Sequence, residues 1–179
     1  MTPVLRNRLL GVAIALVIYV VDQWIKYLMV GPLQLRQRGV IELIPIFDLR
    51  WTQNFGVSLG LFEATSLEAR WMLVGVTALI ALLVTIWMFR EELFGDILGL
   101  SLILGGALGN IKDRFDLGYV IDYADLHFGD FRPFLIFNVA DAAITIGVVI
   151  ILARAFFMRD KEVDDLMDGK PADAAESNT

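Results

Sequence analysis

The chain has 179 residues, 57% of them apolar and 20% charged, with a mean hydropathy of +0.65 and no cysteine. A water-soluble domain of this length needs a more polar surface, so the balance is that of a membrane protein, and the missing cysteine excludes disulfides, iron–sulfur clusters and thiol nucleophiles. The net charge of -6 comes mostly from Asp160 to Thr179, which holds seven acids and two bases; the body is near neutral and lacks the basic face that nucleic acid selects.

Four stretches are long and apolar enough to cross a bilayer as helices of roughly 20 residues. The first, about Leu9 to Val30, follows "RNR" but has no small-x-small cleavage site and continues into "VVDQWIKYL", so it reads as a retained helix rather than a leader. Asp22 and Lys26 stand one turn apart on it, the spacing of an ion pair, with Lys26 expected to reach towards the interface. The next segment, "GVIELIPIFDLRWTQNFGVSLGLF", is too polar and broken to span. Leu49 and Trp51 alternate there with Arg50 and Thr52, which predicts a small sheet at the membrane surface with Trp51 and Phe55 at headgroup level.

The second span, Thr65 to Phe89, opens on a capping box of Thr65 and Glu68. "FREELFG" turns into the third, Leu93 to Ile111, where Gly105 and Gly109 have the spacing of close helix packing and Asn110 and Arg114 continue as a polar stripe. The fourth runs from Phe134 to Met158. An even number of spans puts both termini on one side; lysine and arginine are split almost evenly between the sides, and Arg6 and Arg8 favour a cytoplasmic amino terminus. The acidic end reads as a solvated, disordered tail.

Polar and ionisable groups at membrane depth are costly, a charge by at least a few kcal/mol, and mark functional candidates. Asp22, Lys26, Asn110, Arg114, Asn138 and Asp141 are such groups, and Asp122 precedes the last span in what reads as a loop. Two carboxyls brought together at one membrane face, Asp122 and Asp141, could share a proton, one activating water while the other polarises a carbonyl. Asp125, expected to face water, competes with Asp122, and Asp141 could instead be a structural partner of Asn110 or Arg114. The same charges would serve a proton relay or transporter if spread through the bilayer depth, or simply support a structural subunit. A serine nucleophile at Ser58 or Ser101 with Lys26 or Lys112 as base has no defining spacing, and His127, beside Asp125 and Asp130, reads as a surface loop residue rather than a zinc ligand.

Taken together, "DQWIK", "NFGVSLGLF", "GGALGNIKDR", "VIDYADLHF" and "FNVADAAIT", in this order from about Leu9 to Arg159, resemble the lipoprotein signal peptidase family, or signal peptidase II. The resemblance implies an all-α membrane protein with four transmembrane helices and a small extracytoplasmic β-sheet between the first two. Residues 1–160 would form the membrane-embedded aspartic protease domain, and 161–179 an acidic cytoplasmic tail. It implies an endopeptidase of the bacterial inner membrane, both termini cytoplasmic and the active site near the periplasmic face. Such an enzyme cuts the signal peptide from diacylglyceryl-modified prolipoproteins before the lipidated cysteine, as a monomer in membrane lipid, without metal, cofactor or nucleic acid. The catalytic pair maps onto Asp122 and Asp141, and the supporting positions onto Asp22, Lys26, Asn54, Gly56, Asn110, Arg114 and Asn138. Leu59, followed by Gly60, departs from the aromatic residue common after the small pair, and the acidic end lies beyond the resemblance.

Overall fold

The computed structural model describes residues 1–57, 62–63 and 67–167. Helix α1 spans Pro3–Val30, a one-turn α2 Leu35–Arg38, and then come strands β1 (Val40–Ile44), β2 (Phe47–Asn54), β3 (Gly56–Val57) and β4 (Phe62–Glu63). Helices α3 (Leu67–Met88) and α4 (Phe94–Asp116), strand β5 (Val120–Leu126) and helix α5 (Val139–Met167) complete the order. Among the described residues α1, α3, α4 and residues 139–157 of α5 are long and apolar enough to cross a membrane. Thr2 caps α1 by accepting from Leu5 N, with Pro3 at the first helical position where its missing N–H is no loss. Thr65, Ser58, Leu59 and Gly60 lie outside the described residues, as do residues 168–179.

Helix α4 is the centre of the bundle, packed on α1, α3 and α5, while α3 leans mainly on α4. Close approach is made by small residues. A Cβ on Gly105 would stand 2.6 Å from Ala15 O and 2.8 Å from Ile18 Cβ, so α1 and α4 can touch only with glycine there. The mid-bundle core is apolar, built from Ala15, Ala81, Met88, Ile97, Leu100 and Leu104. Outward faces carry exposed Leu, Val, Ile and Trp, as lipid-facing surfaces do.

The expected sheet is present, with a third strand that the sequence reading placed in a loop. Its order is β1-β2-β5, all antiparallel, with Val40 opposite Arg50 and Asn54 opposite Val120. "VIDYADL" is rich in β-branched and aromatic residues and is buried from Val120 to Asp125. Trp51 packs against the cluster of Leu49, Ile121 and Tyr123 rather than standing free at a lipid surface, whereas Phe55 is exposed and tilts over Tyr119 at 5.4 Å. After β5 the chain returns beside it. Phe137 N donates to Ala124 O, and Phe137 O accepts from Ala124 N, which sets Asn138 next to Asp122 and delays the last helix to Val139.

Candidate active site

The start of α5 is built by two side chains acting on each other. Asn138, just before the helix, accepts from Asp141 N through its Oδ1 at 2.9 Å, and Asp141 Oδ2 accepts from Asn138 N at 3.2 Å. This is the reciprocal geometry of a capping box with an asparagine and an aspartate in place of the usual pair, so the helix end itself fixes Asp141. The other face of Asn138 serves Asp122: its Nδ2 donates to Asp122 Oδ1 at 2.6 Å and to Ile121 O at 3.3 Å. One buried asparagine thus joins both carboxylates, Asp122 through its side chain and Asp141 through its backbone N–H.

Each carboxylate has a second donor. Asn54, on the last residue of β2, donates to Asp122 Oδ2 at 3.0 Å, and its own Oδ1 is held by Gly56 N at 3.1 Å. Asn110 on α4 donates to Asp141 Oδ1 at 2.8 Å. Arg114, one turn further along α4, donates through Nη2 to Gly56 O at 3.3 Å, and its buried Nε has no partner among the described residues. Burial, first, and the neighbouring charge of Asp141, second, push Asp122 up to about 7 from the ordinary carboxylate range; the amides of Asn54 and Asn138 oppose this without cancelling it.

Behind the pair lies a buried ionic layer between α1 and α4. Lys26, 3% exposed, turns inward instead of reaching for the interface. Its Nζ is 2.9 Å from Asp22 Oδ2 and 2.8 Å from Asp113 Oδ2, and it donates to Asn110 Oδ1 at 3.3 Å. An ammonium tolerates such burial when two carboxylates and an amide replace its water. Asp22 also accepts from Ala140 N at 3.1 Å, satisfying one of the orphan N–H groups at the start of α5. Gly109 leaves the space for that carboxylate, since a Cβ there would meet Asp22 Oδ2 at 2.5 Å.

All nine residues expected at the site therefore fall in one cluster at the sheet end of the bundle. Two members were missed. Asp113 accepts from Lys26, from Gln23 Nε2 at 3.0 Å and from Ile121 N at 3.2 Å, and so ties α1 and α4 to the residue before Asp122; Gln23 also donates to Asp22 at 3.2 Å. The signal was present in "GGALGNIKDR", where Asp113 follows Gly109 by one turn on the side facing α1.

Other expectations are corrected. Asp125 does not face water: it is 1% exposed, with Arg50 Nε at 2.8 Å and Arg132 Nε at 3.1 Å. Burial alone would raise it, but the hydrogen bonds of those two guanidinium groups win and hold it below the usual carboxylate range. His127 is likewise tucked in, with Nε2 at 3.1 Å from Asp48. Ser101 donates to Ile97 O in the apolar core, Lys112 pairs with Asp116 on the outer face of α4, and Lys26 is committed to the ionic layer, so no serine–lysine pair assembles among the described residues. Among the described residues Ser101 is the one buried polar residue in the apolar mid-bundle, while the buried charged residues gather at the sheet end. No group of three or more His, Asp or Glu side chains is arranged to hold a metal among the described residues.

A model of the family described as signal peptidase (SPase) II matches residues 14–157, which contain every residue of this cluster. The chain belongs to the signal peptidase II family. It is 52% identical over 157 residues to the lipoprotein signal peptidase of Rhizorhabdus wittichii, covering 88% of this chain and 91% of that one. It is 49% identical over 171 residues to the lipoprotein signal peptidase of Sphingopyxis alaskensis, covering 96% of each. A solved structure of a bacterial membrane enzyme, obtained by the in meso method at 2.3 Å resolution, superposes with a TM-score of 0.70 at 26% identity, over 84% of this chain and 88% of that one. With its four apolar helices, this signal peptidase II family member is a multi-pass membrane protein.

Proposed function

We propose that the chain is an aspartic endopeptidase that removes the signal peptide from diacylglyceryl-modified prolipoproteins by cutting before the lipidated cysteine. The observation that carries this reading is Asn138, which bonds Asp122 with its side chain and Asp141 with its backbone and so holds the buried carboxylate of Asp122 and the half-buried one of Asp141 to one reaction volume. Asp122, raised to about 7, keeps its proton and donates it to the scissile carbonyl oxygen. Asp141 takes a proton from the attacking water, and a tetrahedral diol forms as the water oxygen bonds to carbon. Asp141 then returns that proton to the leaving cysteine nitrogen, the C–N bond breaks, and Asp122 regains its proton from the diol. Products are a signal peptide ending in a carboxyl group and a lipoprotein beginning with a free amine.

The supporting residues divide the remaining work. Asn54 and Asn110 orient the carboxylates, Asp22, Lys26 and Gly56 hold those asparagines and the α5 start in place, and the unpartnered Nε of Arg114 is a donor for the substrate backbone. Placing this chemistry at the end of the bundle lets an apolar signal helix and its acyl chains remain in lipid while the scissile bond reaches water. The reading includes a monomer in the bacterial inner membrane, termini cytoplasmic and the site near the periplasmic face. Residues 1–160 would be the protease domain and 161–179 an acidic cytoplasmic segment that first continues α5. Fusions at Asn7 and Gly169 should report cytoplasm and one at Arg38 periplasm. Incubating the purified protein with a diacylglyceryl-modified precursor should yield, by mass, a product starting at the lipidated cysteine; equal cleavage of the unlipidated precursor, or a product starting elsewhere, would contradict the proposal.

A further inference from the structure

Helix α4 has two working faces. One carries Asn110 and Arg114 to the carboxylates; the other, with Leu108, Lys112 and Phe115, floors a lateral groove between α1 and α3. This groove encloses about 760 Å³. Its walls include Leu16 and Tyr19 of α1 and Met88 of α3, and it runs from the Met88 level to Asp116. Met88 packs on Ser101, and from there to Asp116 α4 rises about 20 Å. The lining is almost wholly apolar, and its charged groups, Lys112 and Asp116, lie together at the sheet end.

Shape and charge select the occupant. A lateral groove of this length with an apolar lining suits a flexible acyl chain, and the charged pair at its mouth suits a headgroup that carries both signs. The two charges at the mouth are of opposite sign, both 43% exposed, and among the described residues pair with each other in an i, i+4 contact. Such an exposed i, i+4 contact is weak, so exchanging partners costs little. We propose that this groove binds one acyl chain of a zwitterionic phospholipid bearing a primary amine, its phosphate on Lys112 and its ammonium on Asp116. The lipid would fill the seam that α3 leaves open by packing mainly on α4. It occupies the face of α4 opposite Asn110 and Arg114, so the site is separate from the proposed cleavage centre.

The test is native mass spectrometry of delipidated full-length protein titrated with phosphatidylethanolamine, phosphatidylglycerol or diacylglycerol. A one-to-one phosphatidylethanolamine adduct should form at about fivefold lower concentration than either other adduct, the scale of one exposed ion pair. Asp116→Asn should erase that preference. Leu108→Trp should weaken all three adducts about tenfold or more by filling the groove, and Leu16→Trp, on the opposite wall, should do the same; both side chains are already exposed, at 41% and 59%, so neither change disturbs packed atoms. Precursor cleavage by these variants should stay within about twofold of the parent chain, and a lost activity with retained lipid binding would bear on the proposed function alone. Equal retention of the three lipids, a preference for diacylglycerol, or adducts indifferent to both tryptophans would overturn the proposal.

Discussion

The two halves of this bundle use the same helices for opposite purposes. In the apolar half α1 meets α4 through Gly105 and Ala15, with no charge and almost no polar atom buried. Two turns away the same pair of helices buries Asp22, Lys26, Asn110 and Asp113. The first half earns stability from close contact; the second holds charges that would be costly unless each had a partner. The contrast teaches that the charged layer is tolerated because its carboxylates also fix the backbone, Asp22 at the start of α5 and Asp113 at the start of β5, while Lys26 and Asn110 are held by side-chain partners within the layer.

The largest effect should come from the residue that joins the two aspartates. Asn138→Ala removes the cap of α5 and the donor to Asp122, so cleavage should fall about a hundredfold or more and the melting temperature should drop as well. Asn138→Ser restores the cap but not the reach, so its stability should recover while its rate stays low. A rate that recovers with the cap would mean that Asn138 serves the helix alone.

Gly105→Ala probes the other half. Its Cβ would press on Ala15 O, which is backbone and cannot turn aside, so about 1–3 kcal/mol of stability should be lost, read as detergent melting, with little change in the activity of the folded fraction. A rate loss without a stability loss would show that the halves are not separable.

Smaller again is the pH effect. Cleavage in this scheme needs Asp122 protonated, and its carboxyl sits at about 7, so kcat/KM should be highest on the acid side and fall about tenfold per unit above that value. Stability carries the same sign. A carboxyl raised on folding makes the folded state bind the proton more tightly, so the parent chain should lose melting temperature relative to Asp122→Asn as pH rises from about 4 to 7, with no further divergence above. A flat comparison would remove the perturbed carboxyl from the account.

Asp125→Asn should do least. Its partners Arg50 and Arg132 are 36% and 42% exposed and can turn to water, so about 1 kcal/mol of stability goes and most activity stays. Near-complete loss of cleavage would move the catalytic assignment to this residue.

How much of this was legible in the sequence follows from what each feature depends on. The four spans rest on local hydropathy: the second kept its bounds to within about two residues, the first begins six residues earlier with Pro3, the third runs on past Ile111 to Asp116, and the fourth waits for Phe137 to finish pairing with Ala124 and continues past Met158 to Met167. Asp122 and Asp141 could be named from motifs, whereas the cap at Asn138 went unread although "NVAD" carries its short-range signal. Strand β5 was misread as a loop because its partner, β2, lies about seventy residues upstream, and no local pattern reports such a pairing. Lys26 and Asp125 were misjudged for a related reason: whether a charge turns inward depends on partners such as Asp113 and Arg132 that arrive from other elements.

The central claim is that Asp122 and Asp141 act as one unit. It is tested most directly by assaying the parent chain, Asp122→Asn, Asp141→Asn and the double variant on one diacylglyceryl-modified precursor, each protein first shown to be folded. The account predicts that each single change lowers kcat/KM by about a thousandfold or more and that the double variant is little worse than either, because either loss already dismantles the pair. Multiplicative losses in the double variant, or robust cleavage by either single variant, would contradict it.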